Sequence, residues 1–313
     1  MSNIGNTATI IGKSIATLLL MALCLVVATS ITPIYNFAAP QPFSGNDIFN
    51  PYRNIDSTTV WQRANFHTHT LIHSPFNECD HTPTETVDAY NRLGYDIVAL
   101  TNHNYITEHP VDKQHVSAYE HGYNLLKYHK VVFDTERVMR FDHLLPILAS
   151  QRQWQLDILA HECDFMQLNH PLRTPFTSDD MMRKLSGYMI MELDSGRSTE
   201  CEYWDVALSA GHYSFGLAND DLHYPDRSDK IARRCSFLAS PTATWEDICR
   251  TLKEGAYYSM RIPDYGNGDW RVKYAKNREL PRITAIGITD NTTIYMALSE
   301  SAERVVVYGQ DHR

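Results

Sequence analysis

The stretch TPTETVDAYNRLGYDIVALTNHN, Thr82 to Asn104, decides how the chain is read. Pro83 can open a helix, because its missing N–H is one that a helix start leaves unbonded, and Gly94 can close it in the left-handed conformation. Thr84 to Leu93 is therefore expected to be helical. The apolar run Ile97-Val98-Ala99-Leu100 is too short for another helix and predicts a buried strand ending near Thr101. His103 stands just past its tip.

Other apolar runs end or begin in the same way. His67 and His69 close Ala64-Asn65-Phe66, Glu136 follows Val131-Val132-Phe133, and His143 opens Leu144 to Leu148. His170 ends Phe165 to Leu168, while Asp221 and His223 follow Tyr213 to Ala218. Parallel strands alternating with helices deliver their ends to one face, so residues distant in sequence can share a pocket. Imidazoles and carboxylates meeting there is metal-binding chemistry. The runs at His67, Thr101, Glu136, His143, His170, Leu193 and Ala218 make seven strands. Seven βα-type units predict an α/β fold, closed or distorted into a barrel. Helices are expected over 150–163, 177–186, 199–210 and 244–254, and His109 to Lys130, polar and rich in Tyr and His, reads as a helix plus a loop over the pocket.

The 313 residues, 43% of them hydrophobic, can bury a barrel core with some chain left over. A net charge of −9 argues against a stable nucleic-acid complex, because affinity for phosphate backbones comes from Lys and Arg. A small phosphorylated substrate stays compatible, since bound divalent ions invert the local field. Ser14 to Asn46 contains no charge, and Ile15 to Ile31 is almost wholly apolar. Residues 1–40 are thus a signal peptide or signal anchor, with membrane anchoring through residues 14–33 and an extracytoplasmic, periplasmic or secreted body. Residues 41–63 read as an irregular linker, 64–262 as the catalytic barrel, and 263–313 as a β-rich appendage built on runs such as Ile283 to Ile288, Thr293 to Leu298 and Arg304 to Tyr308. Outside the apolar segment Cys79, Cys163, Cys201, Cys235 and Cys249 form no recognisable disulfide or zinc pattern.

In a strand, residues i and i+2 point to one side, so His67 and His69 can offer two imidazoles to one metal, as can Asp221 and His223 their side chains. Taken alone, an HxH among 15 histidines is weak. His73, His81, His109, His115, His121, His129, His161 and His212 lack strand-end placement and read as surface or satisfied histidines, and His312 as terminal.

With these motifs in order, the chain resembles the polymerase and histidinol phosphatase (PHP) family of metal-dependent phosphoesterases. FHTHT resembles its opening motif, the Cys79-Asp80 to Asn104 stretch its helix–strand unit ending in TDHN, and NHP at Asn169 to Pro171 and ANDDLH at Ala218 to His223 its late motifs. The resemblance implies a distorted (β/α)7 barrel holding two or three divalent ions, Zn, Mn or Fe. It implies His67, His69, Glu136 and Asp221 around a first ion, Glu136 bridging to a second held by His143 and His170, and Asp80, His103 and His223 around a third. Gln151 and Glu162 compete with Glu136 for its place. Asn102 stands where the family has Asp, so it can orient a neighbour but cannot take a proton. Arg173, three residues after His170, could hold a phosphate oxygen or be a surface loop residue, and Asp220 could assist proton transfer or order a ligand. The function expected is hydrolysis of a phosphomonoester or short phosphodiester by metal-activated water. The alternatives are a metallohydrolase acting on another bond and a metal-loaded scaffold that has lost catalysis.

Overall fold

The helix predicted after Thr82 forms, and its start explains itself. The Thr82 hydroxyl accepts from Glu85 N at 3.3 Å while the Glu85 carboxylate accepts from Thr82 N at 2.8 Å, a reciprocal cap that satisfies two otherwise open donors. The computed structural model describes residues 2–45, 48–196, 201–263, 268–290 and 292–310. In chain order its elements are α1 (Ser2–Ala28), β1 (Gln62–Asn65), α2 (Pro83–Arg92), β2 (Ile97–Val98), β3 (Ala118–His121), β4 (Lys130–Thr135) and α3 (Ala149–Ala160). There follow β5 (Cys163–Leu168), α4 (Asp179–Met182), β6 (Ile190–Asp194), α5 (Cys201–Ser209), β7 (Phe215–Ala218), β8 (Arg234–Leu238) and α6 (Trp245–Glu254). The last are β9 (Tyr257–Arg261), α7 (Trp270–Arg278), β10 (Ile283–Thr289) and β11 (Thr293–Leu298). Thr199, where a helix was expected to start, lies outside the described residues, as does His312.

The fold is mixed α/β. One sheet has the order β2-β1-β8-β9, parallel only between β1 and β2; the other runs β3-β4-β5-β6-β7, antiparallel up to β5 and parallel beyond it. Just past the strand ends the two sheets meet at single parallel bridges, His103 to Glu120 and Thr68 to Leu222. No continuous ladder closes a barrel among the described residues, and the alternation is not the uniform parallel one expected. Three departures account for this. Ala118–His121 is a strand buried along its whole length, hidden in the sequence because Glu120 and His121 break its apolar run. Leu144 to Leu148 forms no strand, and β8 and β9 add antiparallel strands beyond the seven counted.

Inward-facing side chains of both sheets, among them Phe66, Val131, Phe133 and Leu217, pack into one core that Ile248 and Leu252 of α6 plug from below. α3, α4 and α5 cover the outer face of the larger sheet through Leu156, Met182 and Val206, while α2 and α7 cover the smaller one. α7 lies in the stretch assigned to the appendage, yet Arg63 of β1 binds its Asn277 at 2.7 and 3.0 Å, and Lys273 and Asn277 are buried. Beyond it β10 and β11 form a separate, largely exposed hairpin, and 304–308 is not a strand.

At the other end α1 is one helix whose Thr9–Ala28 portion is long and apolar enough to cross a membrane and has no side buried in the protein. The chain after it is irregular but docked. The Thr32 hydroxyl reaches Ser150 O at 3.3 Å, Tyr35 hydrogen-bonds to Asp157 on α3, Gln41 N binds Ala210 O at 2.9 Å, and the Tyr52 hydroxyl binds Tyr257 O at 2.8 Å. Where this strap crosses the end of α5, Gly211 sits at φ +90°, and a Cβ there would meet Gln41 O at 2.0 Å. Only glycine fits both demands. None of the six cysteines is in a disulfide; Cys79 and Cys235 are buried and Cys24 and Cys201 exposed.

Candidate metal centre

β1 runs directly into Phe66-His67-Thr68-His69, which places His67 and His69 at the open end of the core, both buried. β3 brings Glu120 to the same point. Its Oε1 lies 3.2 Å from His67 Nε2, 3.2 Å from His129 Nδ1 and 3.1 Å from His170 Nε2; its Oε2 lies 3.4 Å from His69 Nε2 and 3.1 Å from His103 Nδ1. One carboxylate thus touches five imidazoles. Asp221 Oδ1 approaches His67 Nε2 at 3.3 Å and His69 Nε2 at 3.2 Å. At the outer edge Glu78 Oε2 lies 3.2 Å from His103 Nε2 and 2.9 Å from His223 Nε2.

Three groups of donors follow from these distances. His67, His69, Glu120 and Asp221 present ligand atoms within 4.8 Å of one another, as do His69, His103 and His223, and His103, Glu120 and His129. The turns that aim them are strained: His170 has φ 30° and Asp221 φ 48°, left-handed values uncommon away from glycine and frequent where function fixes a side chain.

Fit to a cation can be judged from what these atoms lack. His67 Nε2, His69 Nε2 and Glu120 Oε2 are buried and lie 3.1 to 3.4 Å from neighbouring ligand atoms, yet none of them makes an aligned hydrogen bond. Buried polar atoms are normally satisfied, and lone pairs converging from imidazole and carboxylate suit a divalent ion. The charges agree. Burial alone would raise the Glu120 carboxyl, but His103, His67 and His129 hold it well below the usual carboxylate range; Asp221 is held down likewise, chiefly by His67. Burial would lower His67, yet Glu120, Glu192 and Asp221 raise it well above an ordinary histidine. His69 goes the other way, lowered by burial and by His223 and His103, which leaves its lone pair free. The cluster is a concentrated negative site that attracts positive charge, whether proton or metal.

Comparison with known proteins adds the following. Neither family models nor curated proteins match the sequence. The chain is similar to a two-domain protein from Bacteroides vulgatus ATCC 8482 containing a predicted PHP-like metal-dependent phosphoesterase, at 14% identity and a TM-score of 0.47, over 89% of this chain and 87% of that one. It is also similar to the lesion-specific endonuclease PfuEndoQ from Pyrococcus furiosus, at 13% identity and a TM-score of 0.43, over 64% of this chain and 58% of that one.

Of the residues singled out in the sequence, His67, His69, His103, His170, Asp221 and His223 come together here. Asp80, Glu136 and His143 do not. Asp80 and Glu136 are exposed, two residues past Glu78 and one past the end of β4, respectively. His143 is buried elsewhere, its Nδ1 bonded to Thr29 O and its ring against Phe141 and Trp154. Glu120, His129 and Glu78 occupy the corresponding places in the cluster. Gln151 bonds the backbone at Ile147 and Leu148, and Glu162 pairs with Arg137 on the surface.

Glu192 was also missed. Fully buried on β6, it accepts from His67 Nδ1 at 2.9 Å, Asn219 Nδ2 at 3.1 Å and His170 N at 3.0 Å. An acid set between Met191 and Leu193 in the apolar part of β6 was the signal for it. Asp220 turns away from the donors. It accepts from the backbone N–H groups of Ala232, Arg233 and Arg234 at 2.7 to 2.9 Å and from the Tyr90 hydroxyl at 2.9 Å, which holds the loop before β8. Asn102 is equally committed: its Oδ1 accepts from Thr70 N at 2.7 Å, and its Nδ2 donates to the Thr70 and Thr107 hydroxyls, both at 2.7 Å. Arg173 binds Asp221 and, with Lys127, lines a cavity of about 310 Å3 beside the cluster.

Proposed function

We propose that the chain is a metal-dependent hydrolase of the PHP type that cleaves a phosphate ester, on a distorted barrel scaffold. The observation that carries this is Glu120 at the centre of five imidazoles, with donor atoms on His67, His69 and Glu120 itself that make no aligned hydrogen bond. In this reading His67, His69, Glu120 and Asp221 hold one divalent ion, Glu120 with His129 and His170 a second, and Glu78 with His103 and His223 a third. Ions of the Zn, Mn or Fe class, when bound, supply Lewis acidity and a water acidic enough to attack at neutral pH.

The rest is the work of the chain. Glu192 fixes the His67 ring and its tautomer, because an ionised carboxylate only accepts and so requires the proton on Nδ1. Arg173 and Lys127 bring positive charge to the cavity wall, where a guanidinium can take two phosphate oxygens at once. Asp221 holds Arg173 in that position. Asn102 ties the Thr70 and Thr107 turns together and does not face the donors, so its difference from the family's Asp leaves the donor set complete. The apolar α1 supports a signal peptide or anchor, with the body outside the cytoplasm.

The test is elemental analysis of the purified protein after reconstitution with Zn or Mn, followed by phosphate release from a library of soluble monoesters and diesters, nucleic acids included. Bound transition metal and turnover of a phosphate ester are expected. A protein that takes up no metal, or one replete with metal that hydrolyses only non-phosphate esters, would end the proposal.

A further inference from the structure

The loops beside the cavity carry an apolar rim that the site itself does not use. Leu125 is 69% exposed, Leu148 58% and Phe176 62%, with Ile147 and Leu172 also open to solvent. A single exposed leucine needs no explanation, but a contiguous apolar patch does. These belong to three loops stitched into one surface. Leu125 N bonds Leu144 O at 3.0 Å, the Thr174 hydroxyl bonds Lys127 O at 2.9 Å, and buried Arg152 binds Pro146 O at 2.9 Å, Pro175 O at 2.6 Å and the Thr177 hydroxyl at 2.7 Å. The same loops supply the cationic cavity wall: Lys127 is two residues from Leu125, and Arg173 is next to Leu172.

The end of α1 is docked on this surface. Thr29 O receives the Nδ1 of His143, and Ser30 O lies 3.5 Å from Gln151 Nε2, on either side of Ile147 and Leu148. The apolar helix ends at Ala28. One or two residues of chain reach at most about 7 Å, so a bilayer holding α1 must lie against the rim. Leucine, isoleucine and phenylalanine side chains beside Lys and Arg are what an interface of acyl chains and anionic headgroups accepts.

We infer that the mouth of the site rests on the membrane and that its substrate is a phosphate ester carried by a membrane lipid. This rests on the phosphoesterase reading above and adds the source of the ester. The cavity of about 310 Å3 admits a headgroup, while the rim keeps the acyl chains in the bilayer.

The experiment uses the full chain, loaded with metal and reconstituted into phosphatidylcholine vesicles containing phosphatidic acid or phosphatidylglycerol. Hydrolysis of these lipids is compared with that of soluble monoesters and diesters, for the wild type and for the variant Leu125→Asp/Leu148→Asp/Phe176→Asp. The variant is expected to lose lipid hydrolysis by at least about tenfold, because charge at the rim opposes insertion, while soluble turnover is unchanged. Wild-type turnover of soluble esters without lipid hydrolysis, or equal lipid hydrolysis by both proteins, would overturn the inference and leave the phosphoesterase reading standing. A readout free of activity is a fluorophore at Leu148→Cys, in a chain whose exposed Cys24 and Cys201 are replaced by Ala. Quenching by lipids spin-labelled on the acyl chain supports the contact even if turnover fails; an unquenched probe refutes it.

Discussion

His67 Nδ1 donates to Glu192 Oε1 at 2.9 Å beneath the donor cluster, and the other Glu192 oxygen accepts His170 N at 3.0 Å. One buried carboxylate therefore orients two candidate ligands from separate strands. Glu192→Gln keeps the volume but turns an amide donor toward one of these N–H groups. Metal affinity is expected to fall roughly 10- to 100-fold, the usual effect of losing a carboxylate behind a ligating histidine. Competition with a chelator of known affinity measures it; unchanged affinity would remove Glu192 from the site.

Glu120 and Glu136 offer a direct choice between two glutamates. Glu120→Gln should lose bound metal and at least about hundredfold in activity, since the charge shared by the ions is gone. Glu136→Gln, altering an exposed residue past β4, should leave both unchanged. Metal content and turnover of the two proteins, measured side by side, decide the assignment.

Neighbouring aspartates should separate chemistry from folding. Asp221→Asn is expected to lose metal and about hundredfold in activity while the protein stays folded. Asp220→Ala strips the acceptor from three backbone N–H groups and the Tyr90 hydroxyl, and leaving buried donors unpaired costs at least about 3 kcal/mol in total. Urea denaturation should show the larger loss for Asp220→Ala, and the reverse order would contradict the two roles.

Acid should expose one buried histidine. Burial, helped by the charge of Lys130, pushes His121 from 6.5 down to about 3. The unfolded chain then binds a proton that the folded one refuses, so stability is full above 6.5 and is lost as pH falls from there toward 3. His121→Gln keeps a donor for Phe141 O and removes the titration. Its unfolding midpoint should vary less with pH across that window than the wild type's, and parallel pH profiles would sink the assignment.

How far the site could be read from sequence depends on how each residue is delivered. His67, His69, His103, His170, Asp221 and His223 follow apolar runs that become β1, β2, β5 and β7, so strand-end placement exposes them. Glu120 sits inside a strand rather than after one, and Glu and His at adjacent positions made β3 look like loop. Once β3 is lost, a later glutamate and histidine along the chain, Glu136 and His143, take the vacant places. Glu78 was displaced by Asp80 because a loop contributes it, and loops leave no periodic trace. The mixed strand directions were hidden for a related reason: β4 and β5 pair antiparallel although a helix lies between them, a pairing decided by the insertion of β3 and not by local pattern.

The strap also sets the order in which the molecule can be finished. Tyr52 closes on a carbonyl 205 residues further along, and Gln41 on Ala210 beside Gly211. At about 5 to 20 residues per second of synthesis, Tyr52 waits roughly 10 to 40 s for its partner to be made. The first part of the body to be synthesised is thus among the last to find its place, and the strap remains open to chaperones and proteases throughout that wait.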